Sequence, residues 1–165
     1  MKKLFLILVL LFSIPAQAEE AKHQCQSSDP VGLWQTAGFN ENPPGPLTEN
    51  FKNFPYEYLI FSEHNFAYDG RKEAANVSFK SKEDLTNFVK EVYGHSKLAG
   101  KFTFSVDNGI ITILRDDKPW QKFQCFIMDS DISNGMKKDD MIWIVPGASE
   151  ATPAVMRIER RLIKK

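Results

Sequence analysis

The stretch DPVGLWQTAGF, residues 29–39, decides how the rest of the chain is read. Gly32-Leu33-Trp34 follows a polar lead and opens a segment with strand character. Two readings compete. The segment is either the first strand of a small ligand-holding barrel or a turn glycine followed by an ordinary core tryptophan. The choice depends on what flanks it.

Upstream lies a secretory signal. Lys2 and Lys3 form a basic start, LFLILVLLF over residues 4–12 is the apolar run, and Ala16-Gln17-Ala18 supplies a small-x-small cleavage site. A membrane-crossing helix needs about 20 apolar residues, and Ser13-Ile14-Pro15 interrupts this run first. Residues 1–18 are therefore expected to be removed, leaving no stable membrane anchor. With no cysteine at the cleavage point, no lipid anchor is expected either. The short form of the signal points to a bacterium and to a periplasmic or secreted protein. Residues 19–30 then read as a flexible lead and residues 31–165 as one domain.

Cleavage takes two of the 21 basic residues and leaves 19 against 21 acidic ones, a formal charge of −2. That balance offers no footprint for nucleic acid or for an anionic membrane surface. Eighteen aromatic residues remain beyond the signal, enough to build a packed core or to line a cavity. Cys25 and Cys125 are the only cysteines. Export places them in an oxidising compartment, so a disulfide between them is the natural reading, with two separate thiols as the alternative.

Downstream, strand signals recur at short intervals. Residues 33–39 come first. NENPPGPLTEN, residues 40–50, reads as a long loop because its prolines and glycine exclude regular structure. Residues 56–61 and 65–69 flank a turn at Ser62-Glu63-His64, Asp69-Gly70 marks a further turn, and residues 76–80 offer a third strand. One helix is predicted over residues 81–93: Ser81 caps it, Asp84 completes a capping box, Leu85, Phe88, Val89 and Val92 share a stripe, and Gly94 ends it. Five further strands follow, over residues 101–106, 110–115, 120–128, 141–145 and 155–163. Asp107-Asn108-Gly109 is a strong hairpin turn between the first two. About eight sequential antiparallel strands predict a mainly β domain, an up-and-down barrel or strongly curved sheet with one inserted helix, with a two-layer sandwich as the main competitor.

In that setting Gly32-Leu33-Trp34 acquires meaning. Gly-x-Trp opening the first of about eight antiparallel strands resembles the lipocalins and the wider calycin group. The resemblance implies that Trp34 closes one end of a barrel and that an arginine of the last strand, VMRIERRLI, packs across it. Met156, Ile158 and Leu162 make the more apolar face of that strand. Arg160 shares it, which makes Arg160 the expected partner, with Arg157 in reserve and Arg161 the remaining candidate. A mid-chain helix departs from the family layout, so the expectation is an atypical member.

No catalytic constellation accompanies this architecture. Ser149 lacks a nucleophile elbow. Glu63-His64 has no second ligand pair, and Asp129, Asp131, Asp139 and Asp140 lack the spacing of a calcium loop, so no metal or cofactor is expected. Asn76-Val77-Ser78 matches a glycosylation acceptor but is expected to be inert in a bacterial protein. The aromatic faces are the informative feature. Tyr58, Phe66, Tyr68, Phe102, Phe104 and Trp143 either line a cavity for a small hydrophobic ligand or fill a solid core. The expectation is a monomeric binding protein rather than an enzyme. The alternative is a protein-interaction or inhibitor module working through residues 40–50 and 129–140 without a ligand cavity.

Overall fold

The computed structural model describes residues 22–63, 65–76, 80–96, 101–132, 135–145 and 154–162. Alternation and turn chemistry cut these described residues into nine strands: β1 Lys22–Gln24, β2 Gly32–Glu41, β3 Tyr56–Ser62, β4 Asn65–Arg71, β5 Phe102–Asp107, β6 Ile110–Arg115, β7 Lys118–Met128, β8 Met141–Val145 and β9 Val155–Arg161. Helix α1 spans Pro46–Asn53 and α2 spans Lys82–His95. Strands β2 to β9 pair antiparallel in sequence order, and β9 returns to β2. The result is a closed, eight-stranded, up-and-down barrel that leaves its wall without a free edge.

The turns explain the meander. Asn108 and Gly109, at φ 47° and 71°, form the two-residue β5–β6 connection. Asp116 and Asp117, at φ 49° and 61°, do the same between β6 and β7. Pro119 sits in β7 beside a register shift between Ile113 and Leu114, where a missing N–H is tolerated. β2 also carries a bulge between Thr36 and Gly38.

Because strand directions alternate, the start of β2 lies at one end of the barrel and its end at the other. The first end, near Trp34, is solid. Phe61 meets Phe104 edge-on at 4.9 Å and Trp143 at 5.7 Å, with Ile111, Met141 and the cysteines filling the rest. Cys25 and Cys125 form a disulfide with Cα atoms 5.3 Å apart.

Helix α2 lies outside the barrel. Ser81 and Asp84 form the expected capping box, and Phe88 and Val92 pack on Leu33, Tyr58, Ile60 and Ala67. These wall residues face outward under the helix. β3 is consequently buried on both faces, and its apolar run YLIF does not reveal which side faces in.

Four expectations need correction. Residues 40–50 are not all loop, since α1 begins at Pro46, which occupies the first helical turn where proline is tolerated. The polar lead contributes β1, which extends the line of β6 along β7 and is tied down by Cys25. Gly94 stays helical, and α2 ends on an extended Ser96. Asp69 and Gly70 belong to β4 rather than to a turn. The strand expected over residues 76–80 falls largely outside the described residues, as do His64, Ser149 and most of the Asn76-Val77-Ser78 acceptor pattern.

Candidate functional site: a half-hollow barrel

At the closed end, Gly32 adopts φ 143°, and a Cβ there would stand 2.8 Å from Arg161 Nη1. Only glycine admits both the conformation and the approach. Trp34 is fully buried, and its Nε1 donates to the Pro30 carbonyl at 2.6 Å. The guanidinium of Arg161 lies 4.1 Å over the indole and donates to the carbonyls of Val31, at 2.8 Å, and Asp29, at 2.6 Å. The loop entering β2 thus has three successive carbonyls capped by two side chains. The barrel-end arginine is therefore Arg161, not Arg160. Arg160 bonds the buried carboxylate of Asp140, through Nη2 at 2.9 Å and Nε at 3.1 Å.

Register explains the correction. Trp34 pairs with Arg161 and Gln35 with Arg160, so Arg161 is on the indole's face. The inward residues of β9 are Val155, Arg157, Glu159 and Arg161. Its apolar Ile158 and, just past its end, Leu162 face outward, where Ile158 packs on Gly38 and Leu162 joins the cluster under α2.

The open half is hollow. A cavity of about 190 Å³ is walled by Phe39, Leu59, Phe66, Phe102, Phe123 and Trp143, with a polar pole at Glu57, Tyr68 and Arg157. Of the six aromatics expected to line it, Phe66, Tyr68, Phe102 and Trp143 do so. Phe104 lies deeper, in the packed half. Tyr58 faces outward, edge-on to Phe88 at 5.0 Å, and accepts from the Ala75 N–H at 2.9 Å. Cavity and solid core are thus both present, one in each half.

Helix α1 borders the mouth. Glu41 Oε2 accepts from the backbone N–H groups of Gly45 and Thr48 and from the Thr48 hydroxyl, each at 2.8 Å, and so replaces an N-cap side chain. Phe51 stacks on Phe39 at 5.2 Å, and Asn50 reaches the Tyr68 hydroxyl at 3.3 Å. Leu47 of α1 and Trp120 of β7 line the opening while 42% and 49% exposed.

The polar pole is a buried ion cluster that the sequence did not single out. Arg157 donates through Nε to Glu159 and through Nη2 to Glu57, both at 2.7 Å, and through Nη2 to Thr36 at 2.8 Å. The Thr36 hydroxyl donates to Glu159 at 2.9 Å, and Tyr68 donates to Glu57 at 2.9 Å. Glu57 and Glu159 are 2% and 0% exposed. Burial pushes Glu159 above the usual carboxylate range, against the pull of Arg157. Burial, then the charge of Glu57, also raise the Tyr68 phenol, which remains a donor. Arg157 Nη1 makes no hydrogen bond among the described residues. The Trp143 indole N–H is buried and likewise has no partner there. The one signal in the sequence was Arg157, Glu159 and Arg161 at alternate positions of one strand, three charges on a face that a barrel must bury.

Elsewhere, Asp131 binds Lys137 and the Lys138 N–H, and Asp140 accepts from the Lys137 N–H. These aspartates brace the loop and Arg160. Among the described residues no group of three His, Cys, Asp or Glu side chains could hold a metal ion, and no helix is long and apolar enough to cross a membrane.

Comparison of the chain with protein-family models, with curated proteins and with solved structures returned no match.

Proposed function

We propose that this chain is an exported, lipocalin-like binding protein that holds a small hydrophobic ligand in the open half of its barrel and performs no chemistry on it. The observation that carries the reading is the cavity. It is apolar over most of its wall, has a single polar pole, and opens between two exposed apolar side chains, the usual make-up of a small-molecule site. The Gly32–Trp34–Arg161 plug supports the kinship with lipocalins, because it joins the residue types that the resemblance requires at the end where they belong. The disulfide fits export.

Size narrows the ligand. A dry cavity of about 150 Å³ accepts benzene, so about 190 Å³ suits a body of roughly eight non-hydrogen atoms. A longer hydrocarbon fits only by running out between Leu47 and Trp120. A hollow interior also weighs against an interaction module without a ligand cavity.

The test is native mass spectrometry of the mature protein purified from its own host. A non-covalent adduct lost on collisional activation is expected. Adduct-free protein that also fails to bind ethylbenzene by calorimetry overturns the reading, and co-purification of a stoichiometric protein partner in that case favours the alternative.

A further inference from the structure

The polar pole also specifies what the ligand must carry, if the cavity is a binding site as proposed above. Each carboxylate oxygen of the pole already accepts a hydrogen bond from the protein. Glu57 accepts from Tyr68 and Arg157, and Glu159 accepts from Arg157 and Thr36. These acceptors are already engaged, whereas two donors beside them are not. Donors are what it has left. Trp143 is 2% exposed, lines the cavity and has an indole N–H without a partner among the described residues. Arg157 lines the same cavity, and its bonds to protein use Nε and Nη2, leaving the Nη1 amino group. The two are direct cross-strand partners, with the Arg157 Cζ 5.6 Å from the Trp143 ring centre, which brings both side chains to the same stretch of cavity wall.

Charge then chooses among oxygens. The single cation of Arg157 already faces two carboxylates, so its charge is matched before any ligand arrives. A ligand carboxylate would bring a further buried negative charge with no counterion, whereas a neutral oxygen satisfies the donors without that cost. A purely apolar ligand leaves the buried N–H unpaired, which is also unfavourable.

We propose that the ligand carries one neutral hydrogen-bond acceptor, a carbonyl or similar oxygen on a ring-sized apolar body, seated against Trp143 Nε1 and Arg157 Nη1, and that free carboxylic acids are refused. The test compares three probes of matched size, acetophenone, ethylbenzene and benzoate, by calorimetry at pH 7.5 on the mature, disulfide-bonded protein. Acetophenone is expected to bind at least about tenfold tighter than ethylbenzene, a factor equivalent to one good hydrogen bond, and benzoate to bind more weakly than either. In Trp143→Phe the ratio of acetophenone to ethylbenzene affinity is expected to fall towards unity. A second measurement needs no variant: the Trp143 indole ¹H–¹⁵N resonance is expected to move downfield with acetophenone and not with ethylbenzene. Equal affinities for acetophenone and ethylbenzene, or benzoate binding as tightly as acetophenone, overturn the head-group assignment and leave the cavity reading standing. Failure of all three probes to bind overturns both.

Discussion

β9 places two arginines four residues apart on one face, and each stands beside a tryptophan. At the closed end Arg161 covers Trp34 at 4.1 Å, the indole N–H is bonded to Pro30, and the guanidinium is spent on backbone carbonyls. At the open end Arg157 lies 5.6 Å from Trp143, the indole N–H has no partner among the described residues, and both side chains line the cavity. The first pair is complete within the protein and the second is not. Buried polar groups are nearly always satisfied in native structures, so an incomplete pair at the edge of a hollow suggests that something outside the chain completes it. The same two residue types thus make a complete plug in one place and, in the other, what we propose to be half a binding site.

The largest expected effect tests whether stability is concentrated at the solid end. The disulfide closes a loop across a sequence separation of 100 beside that end. Replacing Cys25 and Cys125 by serine is expected to cost about 4 to 5 kcal/mol in the chain-entropy model, read from urea denaturation. Probe affinity in the fraction that remains folded is expected to change little. A loss of affinity that parallels the loss of stability would join the two halves into one unit and remove the contrast.

The next effect belongs to the open half alone. Glu159 has its folded-state pKa raised from 4.5 by burial, so the folded protein binds this proton more tightly than the unfolded chain does. The sign follows from linkage: this contribution favours folding at acid pH and is lost as pH rises above about 4.5 through the folded value. Each unit of displacement corresponds to about 1.4 kcal/mol. Glu159→Gln removes the titration and leaves the Thr36 hydroxyl free to donate to Glu57 Oε2, 3.3 Å away. The stability of the variant relative to the unaltered protein should therefore rise between pH 5 and 8. Parallel stability curves over that range would show that Glu159 carries no such strain.

The physical reasons that made the barrel legible in the sequence also hid the site. Strands β6 and β8 begin and end where alternation and turns place them, and the capping box fixes the start of α2, because those signals are local. Which face of a strand looks inward is not local. Helix α2 covers one patch of the outer wall, so Tyr58, Ile60 and Leu162 are apolar yet point away from the barrel axis. Taking the apolar face of β9 as the inner one therefore favoured Arg160 over Arg161, kept Arg157 only as a reserve for the barrel end, and passed over Glu159. Glu57, flanked by two tyrosines in YEYLIF, similarly looks solvent-facing until its partner Arg157, a hundred residues distant, is known. Helix α1 was hidden because its cap is a glutamate four residues before its N-cap glycine, outside the usual capping spacing.

The smallest expected effect compares the two indoles by the same substitution. Trp34→Phe removes a buried N–H that is bonded to Pro30 and strands the carbonyl, while also losing part of the surface that Arg161 covers. A cost of about 2 kcal/mol is expected from the lost bond and the lost contact. Trp143→Phe loses a ring of the same size but has no hydrogen bond to lose, and it removes an unsatisfied donor. The two contributions oppose each other, so a change of about 1 kcal/mol or less is expected in the ligand-free protein. Saturating acetophenone should separate the variants further. It stabilises the Trp34→Phe protein as much as the unaltered one, because the cavity lies in the other half, and it stabilises the Trp143→Phe protein less, because the acceptor has lost its donor. Thermal unfolding with and without the probe reads all of these differences. If Trp143→Phe costs as much as Trp34→Phe without ligand, the open-end pair is as complete as the closed-end one, and nothing remains for a ligand to finish.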